Sequence, residues 1–220
     1  MTSLFDAHAA DYDAAYDSPG APGQALRDRL ETVLELAGHG PGDALDAGMG
    51  PGRLVGELEQ RGWRASGVEP SAEMLSLARE RLPEAGDRLV LGTIEALPFV
   101  DGSFDLAVAT GVLEYADLEP ALRELARVVR PGGRAIVSLP NWWSASGLFR
   151  RKVLYPLARR AGRTTPPGPR RLVRGAEFER LLADAGLRPT ASRLTSFRPR
   201  ALRLPAFASQ LVFTSERVAS

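Results

Sequence analysis

The chain has 220 residues, a size that suits one α/β domain, and its 28 basic and 27 acidic side chains leave a net charge of +1. A balanced charge gives no overall field that favours nucleic acid or anionic membranes, and the absence of cysteine excludes disulfides, thiolate metal sites and cysteine nucleophiles. We find no signal peptide and no apolar run long enough for a membrane helix, so we expect a cytoplasmic protein without a membrane span.

Residues 4–37 are helical in pattern and precede the first predicted strand. Strand-like and helical runs then alternate, and this βαβ rhythm favours a parallel sheet with right-handed crossovers. The predicted strands are 43–46, 64–68, 88–91, 104–110 and 134–139. The predicted helices are 53–61, one that is capped by Ser71, and 119–129, which stops at Pro131-Gly132-Gly133.

The stretch 141–174 interrupts this rhythm with nine basic residues and no acidic one. Its segment 148–161 has an amphipathic helical pattern, and the Pro- and Gly-rich segment 162–169 is predicted to be a flexible loop. The sequence leaves four interpretations of the basic run open. It forms a substrate-side cap with a solvated face, a site for an acidic substrate, a surface for a membrane or partner, or an RNA-binding segment. A helix at 176–185 and strands near 187–197 and 209–216 follow.

A glycine-rich loop follows the first strand and opens a helix, where a ligand sits at the helix N-terminus. Its glycines stand at positions 48, 50 and 52, and Arg53 occupies the position of the third glycine of the dinucleotide fingerprint G-x-G-x-x-G. The nearby carboxylate of Asp46 repels a pyrophosphate but suits the ammonium group of an amino-acid tail. The loop therefore favours an aminoacyl nucleoside over a dinucleotide.

Glu69 ends the second strand about 20 residues after the loop, where an acid can accept hydrogen bonds from both ribose hydroxyls. Together with the loop, the downstream segments GVEPSAEMLSLAR, GTIEALPFVDGSFDLAVATGVLEY and LRELARVVRPGG resemble the class I S-adenosylmethionine-dependent methyltransferases. The resemblance spans residues 44–133 and is greatest to small bacterial enzymes that act on metabolites and natural products.

The resemblance implies a Rossmann-like, mostly parallel seven-stranded sheet with an antiparallel last strand and flanking helices. An N-terminal helical segment and a cap insertion after strand 5 complete this fold. The resemblance also implies that Asp46, Gly48 and Gly50 hold the methionine moiety of S-adenosylmethionine and that Glu69 holds its ribose. Met74 would pack on the adenine, Thr93, Ile94 and Glu95 would meet the adenine edge, and Thr110 would offer its carbonyl oxygen to the methionine amine.

Three positions depart from the family pattern, and one of them, Met49 in place of a common cysteine, is a neutral change for backbone binding. Thr93 stands where aspartate is usual, so its hydrogen bond to the adenine amino group is expected to be weaker. Tyr115 stands where histidine is frequent, which removes the obvious imidazole base near the methyl group. Methyl transfer from a sulfonium needs chiefly alignment of the acceptor, about 3–3.5 Å from the methyl carbon, together with exclusion of water.

A hydroxyl or ammonium acceptor also needs a base, and the candidates are Glu114 and Tyr115 after the fourth strand and His8 in the N-terminal helix. Tyr12 and Tyr16 share a helix face, which either packs as core or covers the cofactor. Asn141, Trp142 and Trp143 follow the fifth strand, where indoles either hold a flat acceptor or anchor the insertion.

We divide the chain into a helical lid (1–40), a cofactor-binding core (41–140), a basic cap (141–175) and a C-terminal helix and strands that complete the sheet (176–220). The predicted function is methyl transfer to O, N or C of a small-molecule metabolite, in secondary metabolism. One alternative is a cofactor-binding protein that no longer methylates, such as an isomerase, cyclase or binder. Another is an RNA methyltransferase, although we expect no nucleic-acid partner and no metal site.

Overall fold

Two helices precede the sheet in the computed structural model, which describes residues 9–19, 21–141, 143–160, 162, 170–196 and 208–218. They are α1 (Ala9–Asp17) and α2 (Ala21–Ala37). The helical pattern predicted for 4–37 is thus interrupted after Asp17, because Pro19 lacks an amide hydrogen and restricts the residue before it. Pro22 lies in the first turn of α2, where a missing amide hydrogen costs nothing.

Strands and helices then alternate in the predicted order. Their bounds are β1 (Asp43–Ala47), α3 (Arg53–Gln60), β2 (Arg64–Glu69), α4 (Ala72–Arg81), a 3₁₀ turn (Pro83–Arg88), β3 (Leu89–Leu91), β4 (Phe104–Ala109), α5 (Leu118–Val128) and β5 (Val129–Pro140). Strand β5 begins earlier than predicted because the backbone pairs with β4 as soon as α5 ends, Val129 lying opposite Phe104. A register shift in β4 accommodates the Pro-Gly-Gly segment.

The remaining elements form the insertion and the end of the sheet. They are α6 (Ala145–Phe149), a π-helical turn (Arg150–Leu154), α7 (Tyr155–Arg160), α8 (Gly175–Asp184), β6 (Leu187–Ser196) and β7 (Ala208–Arg217). The amphipathic helix predicted at 148–161 is therefore built from three consecutive helical segments. Apart from Gly162, the loop predicted at 162–169 lies outside the described residues.

The seven strands form one sheet in the order β3-β2-β1-β4-β5-β7-β6. Strands β1 to β5 pair in parallel, and β7 runs antiparallel to both β5 and β6. This confirms the predicted fold class. The strand order reverses between β1 and β4, and ligands of such sheets bind beyond the carboxyl ends of the strands at this point.

Apolar side chains cover both faces of the sheet. On one face Leu106 and Val108 of β4 join a cluster with α2, α3 and α4, and on the other Ala107 and Ala109 join a cluster with α5 and α8. Strand β4 is thus buried on both sides, as its apolar run predicts. Within the described residues, no helix combines the length and the apolarity that crossing a bilayer requires.

Candidate active site

The glycine loop connects β1 to α3 through three left-handed residues, with φ of +84° at Gly48, +54° at Gly50 and +77° at Gly52. The amides of Gly48 and Met49 donate to the carbonyl oxygen of Val68 at 2.8 and 3.0 Å, which holds the loop against β2. A Cβ on Gly52 would lie 3.0 Å from the Ala78 side chain. The third glycine therefore allows α3 to approach α4, and the first two face the ligand side.

The carboxylate of Glu69 is fixed by the backbone on both of its oxygens. Its Oε2 accepts a hydrogen bond from the amide of Gly50 at 2.9 Å, and its Oε1 accepts one from the amide of Ser71 at 3.0 Å. The hydroxyl of Ser71 in turn accepts from the amide of Met74 and caps α4. The side chain that follows β2 is therefore held rigidly beside the glycine loop.

A cavity of about 340 Å³ lies at the carboxyl ends of the parallel strands. It brings together most of the predicted site residues, with the adenine-side group after β2 and β3 and the acceptor-side pair after β4. The predicted residues that line it are Tyr12, Gly48, Gly50, Glu69, Met74, Thr93, Ile94, Glu95, Thr110, Glu114 and Tyr115. Asp46 and Tyr16 line a smaller adjoining pocket, which also contacts Tyr12, the loop glycines and Thr110.

The adenine-side wall combines buried apolar side chains with a short turn. Met74 and Ile94 are 2% and 4% exposed. The turn closes through a bridge between Thr93 and Ala96, and Oε1 of Glu95 accepts a hydrogen bond from the amide of Asp117 at 3.1 Å. This last bond ties the turn to the start of α5.

Asp46 lies at the end of β1 and is almost fully buried. Burial and, after it, the charge of Glu69 raise the pKa of its carboxyl to about 7, and the charge of Arg29 opposes this rise. The carboxyl is therefore partly protonated near neutral pH when the pocket holds no cation. A cationic group placed beside it would favour the carboxylate.

Helix α1 lies over the glycine loop and is tied down by ion pairs. Arg53 pairs with Asp13 at 2.7 Å and with Asp17 at 2.6 Å, and Arg81 pairs with Asp13 at 2.6 Å. The rings of Tyr12 and Tyr16 meet edge to face with their centroids 5.9 Å apart, and Arg53 stacks on Tyr16. The shared tyrosine face predicted for this helix therefore points toward the ligand side of the sheet.

Arg29 in α2 is a site residue that our sequence reading missed. It is 7% exposed, lines both cavities, and donates from Nη2 to the hydroxyl of Tyr12 at 3.2 Å. A Cβ on Gly111, whose φ is +73°, would lie 2.6 Å from Nη1, so a side chain at this position would displace the guanidinium. A sequence signal does exist, since Arg29, Val33 and Ala37 share one helix face, and an arginine on an apolar stripe is unusual.

The guanidinium of Arg29 remains charged despite its burial. Burial acts to lower its pKa, but the neighbouring Tyr12 and Tyr16 and the carboxylate of Glu114 outweigh that effect and raise the pKa above its usual range. Among the described ion pairs, Arg29 has no carboxylate partner. A buried cation with this environment is suited to an anionic group of a ligand.

Glu114 and Tyr115 form the wall that follows β4. Glu114 is 8% exposed, and its Oε2 is fully buried without a hydrogen-bond partner within the described part of the chain. Burial raises the pKa of Glu114 above its ordinary range. Burial, and then the charge of Glu114, also raise the pKa of Tyr115, so its hydroxyl is a donor rather than a phenolate at neutral pH.

Two of the three residues predicted to hold the acceptor, Asn141 and Trp143, lie in the described part of the chain. Neither Asn141 nor Trp143 is among the residues that line the two described cavities. The Trp143 ring instead stacks under the guanidinium groups of Arg151 and Arg174, 5.2 and 4.7 Å from its centroid. Trp142 and His8 lie outside the described residues, which also contain no cluster of side chains able to hold a metal ion.

Known proteins are similar to this chain mainly in the region that forms the cavity. A family model described as "Methyltransferase domain" matches residues 45–137. A 37.1 kDa protein in transposon TN4556 of Streptomyces fradiae is 34% identical over 84% of this chain and 55% of its own length. A malonyl-[acyl-carrier protein] O-methyltransferase of Serratia marcescens is 35% identical over 63% of this chain and 51% of its own length. The chain thus spans about half the length of these relatives.

A solved structure from Thermotoga maritima resembles nearly the whole chain. It is described as an S-adenosylmethionine-dependent methyltransferase, possibly a histamine N-methyltransferase, and it covers 99% of this chain and 100% of its own. The TM-score is 0.73 at 24% sequence identity. At that identity the likeness concerns the fold, including the N-terminal helices and the insertion that the family model leaves out.

Proposed function

The chain belongs to the class I S-adenosylmethionine-dependent methyltransferases, and from that premise we propose that it transfers the methyl group of this cofactor to a small organic acceptor. The observation that carries the proposal is a cavity lined both by Glu69, whose carboxylate is fixed by backbone amides, and by Glu114, whose buried Oε2 has no hydrogen-bond partner within the described residues. The first suits a ribose diol and the second suits the acceptor.

We propose the following places for the cofactor. The adenine lies between Met74 and Ile94, with its edge at Thr93 and Glu95, and the ribose hydroxyls donate to Glu69. The methionine moiety lies over Gly48 and Gly50, its ammonium near Asp46 and the carbonyl oxygen of Thr110. The burial of Met74, Ile94 and Asp46 and the open backbone of the glycine loop support this placement.

We extend this cofactor site to Arg29, whose guanidinium would bind the methionine carboxylate. Its position in both cavities, its burial and its hydrogen bond to Tyr12 support this role. Helix α1 then covers the methionine end as the lid expected for residues 1–40, with Tyr12 and Tyr16 on its inner face. The ion pairs of Asp13 and Asp17 hold that lid in place.

The chemistry that we propose is an in-line displacement at the methyl carbon. The sulfonium is already activated, so the protein contributes alignment and exclusion of water. Glu114 accepts the proton of an acceptor hydroxyl or amine, and Tyr115, protonated at neutral pH, donates a hydrogen bond that orients the acceptor. The acceptor would be a metabolite of secondary metabolism, methylated at O, N or C in the cytoplasm.

The test of this function is cofactor binding followed by transfer. We expect S-adenosylmethionine and S-adenosylhomocysteine to bind in calorimetry. We also expect a labelled methyl donor to label at least one compound in a panel of hydroxyl, amine and carbon acceptors. Tight cofactor binding with no transfer to any acceptor would favour the alternative of a binder, isomerase or cyclase. Absence of cofactor binding would overturn the proposal altogether.

Replacing Arg29 by methionine should weaken S-adenosylhomocysteine binding by about tenfold or more, the effect of losing a charge-assisted hydrogen bond of roughly 1.5–3 kcal/mol. Methylthioadenosine lacks the amino-acid tail and provides the matched ligand control. We expect its affinity to stay within about twofold of wild type, since Arg29 would not contact it. Equal losses for both ligands in calorimetry would show that Arg29 supports only the fold.

The affinity for S-adenosylhomocysteine should fall as the pH falls below about 7. The pKa of Asp46 is raised to about 7 in the empty protein, so the carboxyl must release a proton before it pairs with the ligand ammonium. Calorimetry in buffers of different ionisation enthalpy should detect proton release at pH 6 and little at pH 8. Asp46→Asn should bind more weakly at pH 8 with a flatter pH profile. A wild-type profile without slope would contradict this assignment.

A further inference from the structure

The insertion presents an exposed apolar surface outside the cavity. Four large side chains of its helical part are about half exposed: Phe149 (56%), Val153 (41%), Leu154 (45%) and Leu157 (55%). They occur within 16 residues of consecutive helical segments, 145–160. We call this part the basic–apolar helix. An exposed group of this kind usually marks an interaction surface.

The charged residues in the sequence of the insertion are all basic. Residues 145–160 contain five basic side chains, and the whole stretch 141–174 contains no acidic one. Lys152 and Arg160 are exposed, and neither forms an ion pair within the described part of the chain. The surface therefore attracts an anionic partner that also buries apolar side chains. A nucleic-acid backbone is anionic, but it provides no apolar surface that would bury Phe149 and Leu157.

A tryptophan between two guanidinium groups borders this helix. Trp143 is 42% exposed and lies under Arg151 and Arg174, and the nearby Leu172 is also exposed. Indole and arginine side chains are favoured at the headgroup level of a bilayer, where an apolar body and a polar end are both solvated. A helix with apolar residues on one side and cations beside them lies in the same region.

Not all cations of the insertion belong to this surface. Arg170 pairs with Asp117 at 3.2 Å, and Arg171 pairs with Glu119 at 2.7 Å and Glu177 at 2.6 Å. These ion pairs attach the end of the insertion to α5 and α8. Within the basic–apolar helix, by contrast, Lys152 and Arg160 are exposed.

The inner side of the same insertion reaches the acceptor end of the cavity. The amide of Arg170 donates to the carbonyl oxygen of Glu114 at 2.8 Å. Tyr155, half-buried in α7, is close enough to Tyr115 to raise its pKa, after the larger effects of burial, Glu114 and Tyr12. One part of the insertion thus contacts the segment that carries Glu114, and another part carries the four exposed apolar side chains.

We propose that the basic–apolar helix docks on the surface of an anionic lipid bilayer. The four exposed apolar side chains of this helix enter the boundary between headgroups and acyl chains. Lys152, Arg160 and the arginines that contact Trp143 bind the lipid phosphates. A protein partner would need an apolar groove with acidic walls, whereas a bilayer supplies both chemistries. Docking does not depend on the proposed methyl transfer. If both hold, methyl transfer takes place at a membrane surface, and we expect an amphiphilic acceptor.

The test is cosedimentation of the full chain with vesicles of phosphatidylcholine, with and without phosphatidylglycerol. We expect binding to the anionic vesicles that is at least about tenfold stronger than to phosphatidylcholine alone and that weakens with salt. Phe149→Ser/Leu157→Ser and Lys152→Gln/Arg160→Gln should each reduce it by about tenfold or more. S-adenosylhomocysteine binding is the control for folding. If these variants bind it as tightly as wild type, their loss of vesicle binding is not caused by misfolding.

Matched substitutions elsewhere provide the controls. Val100 is 76% exposed, and the side chains of Arg64 and Arg188 are 74% and 66% exposed. Val100→Ser and Arg64→Gln/Arg188→Gln should sediment like wild type. The proposal is overturned if the wild-type chain does not bind anionic vesicles, or if the helix variants bind them as well as the controls do. It is also overturned if the chain does not bind vesicles but forms a dimer through Phe149 and Leu157.

Discussion

Replacing Glu69 by alanine is expected to weaken cofactor binding by about 1–3 kcal/mol, or roughly tenfold to a hundredfold, measured by calorimetry with S-adenosylhomocysteine. The carboxylate is oriented by the amides of Gly50 and Ser71 and has capacity left to accept from ribose hydroxyls. Its loss removes those acceptors and also leaves two backbone amides without their partner. The effect on binding should therefore be among the largest of any single change in the chain.

A control must separate this effect from a general loss of stability. Glu59 also uses one carboxylate oxygen to accept from a backbone amide, that of Ala65 at 2.8 Å, and it pairs with Arg88, but it does not line either described cavity. Glu59→Ala should lower the unfolding temperature without changing cofactor affinity. If Glu69→Ala binds S-adenosylhomocysteine as tightly as wild type, the ribose lies elsewhere.

Replacing Glu114 by glutamine is expected to lower kcat by about 10²–10⁴-fold for an acceptor that must lose a proton, while the cofactor affinity changes little. The substitution keeps the shape of the side chain and removes its ability to take a proton. Because burial raises the pKa of Glu114, the wild-type rate should fall with decreasing pH at a higher pH than for an ordinary glutamate. The measurement is the pH dependence of kcat in both proteins.

The fold of the glutamine variant can be checked by the sign of its stability change. Burial raises the pKa of Glu114 in the folded protein. Above the pKa that this residue has in the unfolded chain, the buried carboxylate therefore lowers the stability of the fold. Removing its charge should not destabilise the protein at pH 8. Tyr115→Phe gives a second comparison, with a smaller loss in kcat and a rise in KM. Unchanged kcat in Glu114→Gln would leave alignment alone as the source of catalysis.

The local sequence leaves the role of Trp143 open. Its indole was expected to hold a flat acceptor, to contact a cation or to anchor the insertion, and its ring contacts the guanidinium groups of Arg151 and Arg174 and remains partly exposed. The two arginines come from parts of the insertion on either side of residues 161–169. Nothing in the local sequence around Trp143 distinguishes a substrate contact from such a stack.

The sequence by itself determined the family, the βαβ order and the position of the glycine loop, and these predictions are confirmed. The physical reason is that these features are local. Apolar runs specify buried parallel strands, and glycines supply the left-handed φ that the loop requires at Gly48 and Gly50. Helix bounds also agreed to within a few residues, except where Ser18-Pro19 divides the N-terminal helix.

Only the tertiary structure decided which side chains meet across long separations of the chain. Arg29 enters the cavity because α2 packs on the sheet where Gly111 leaves room for a guanidinium, and Tyr12 joins it because ion pairs of Asp13 hold α1 over the loop. Within the described residues, the buried Oε2 of Glu114 has no hydrogen-bond partner, and this depends on every element packed around it. Burial and charge at one point depend on all the elements packed there, and no periodicity within a single element encodes them.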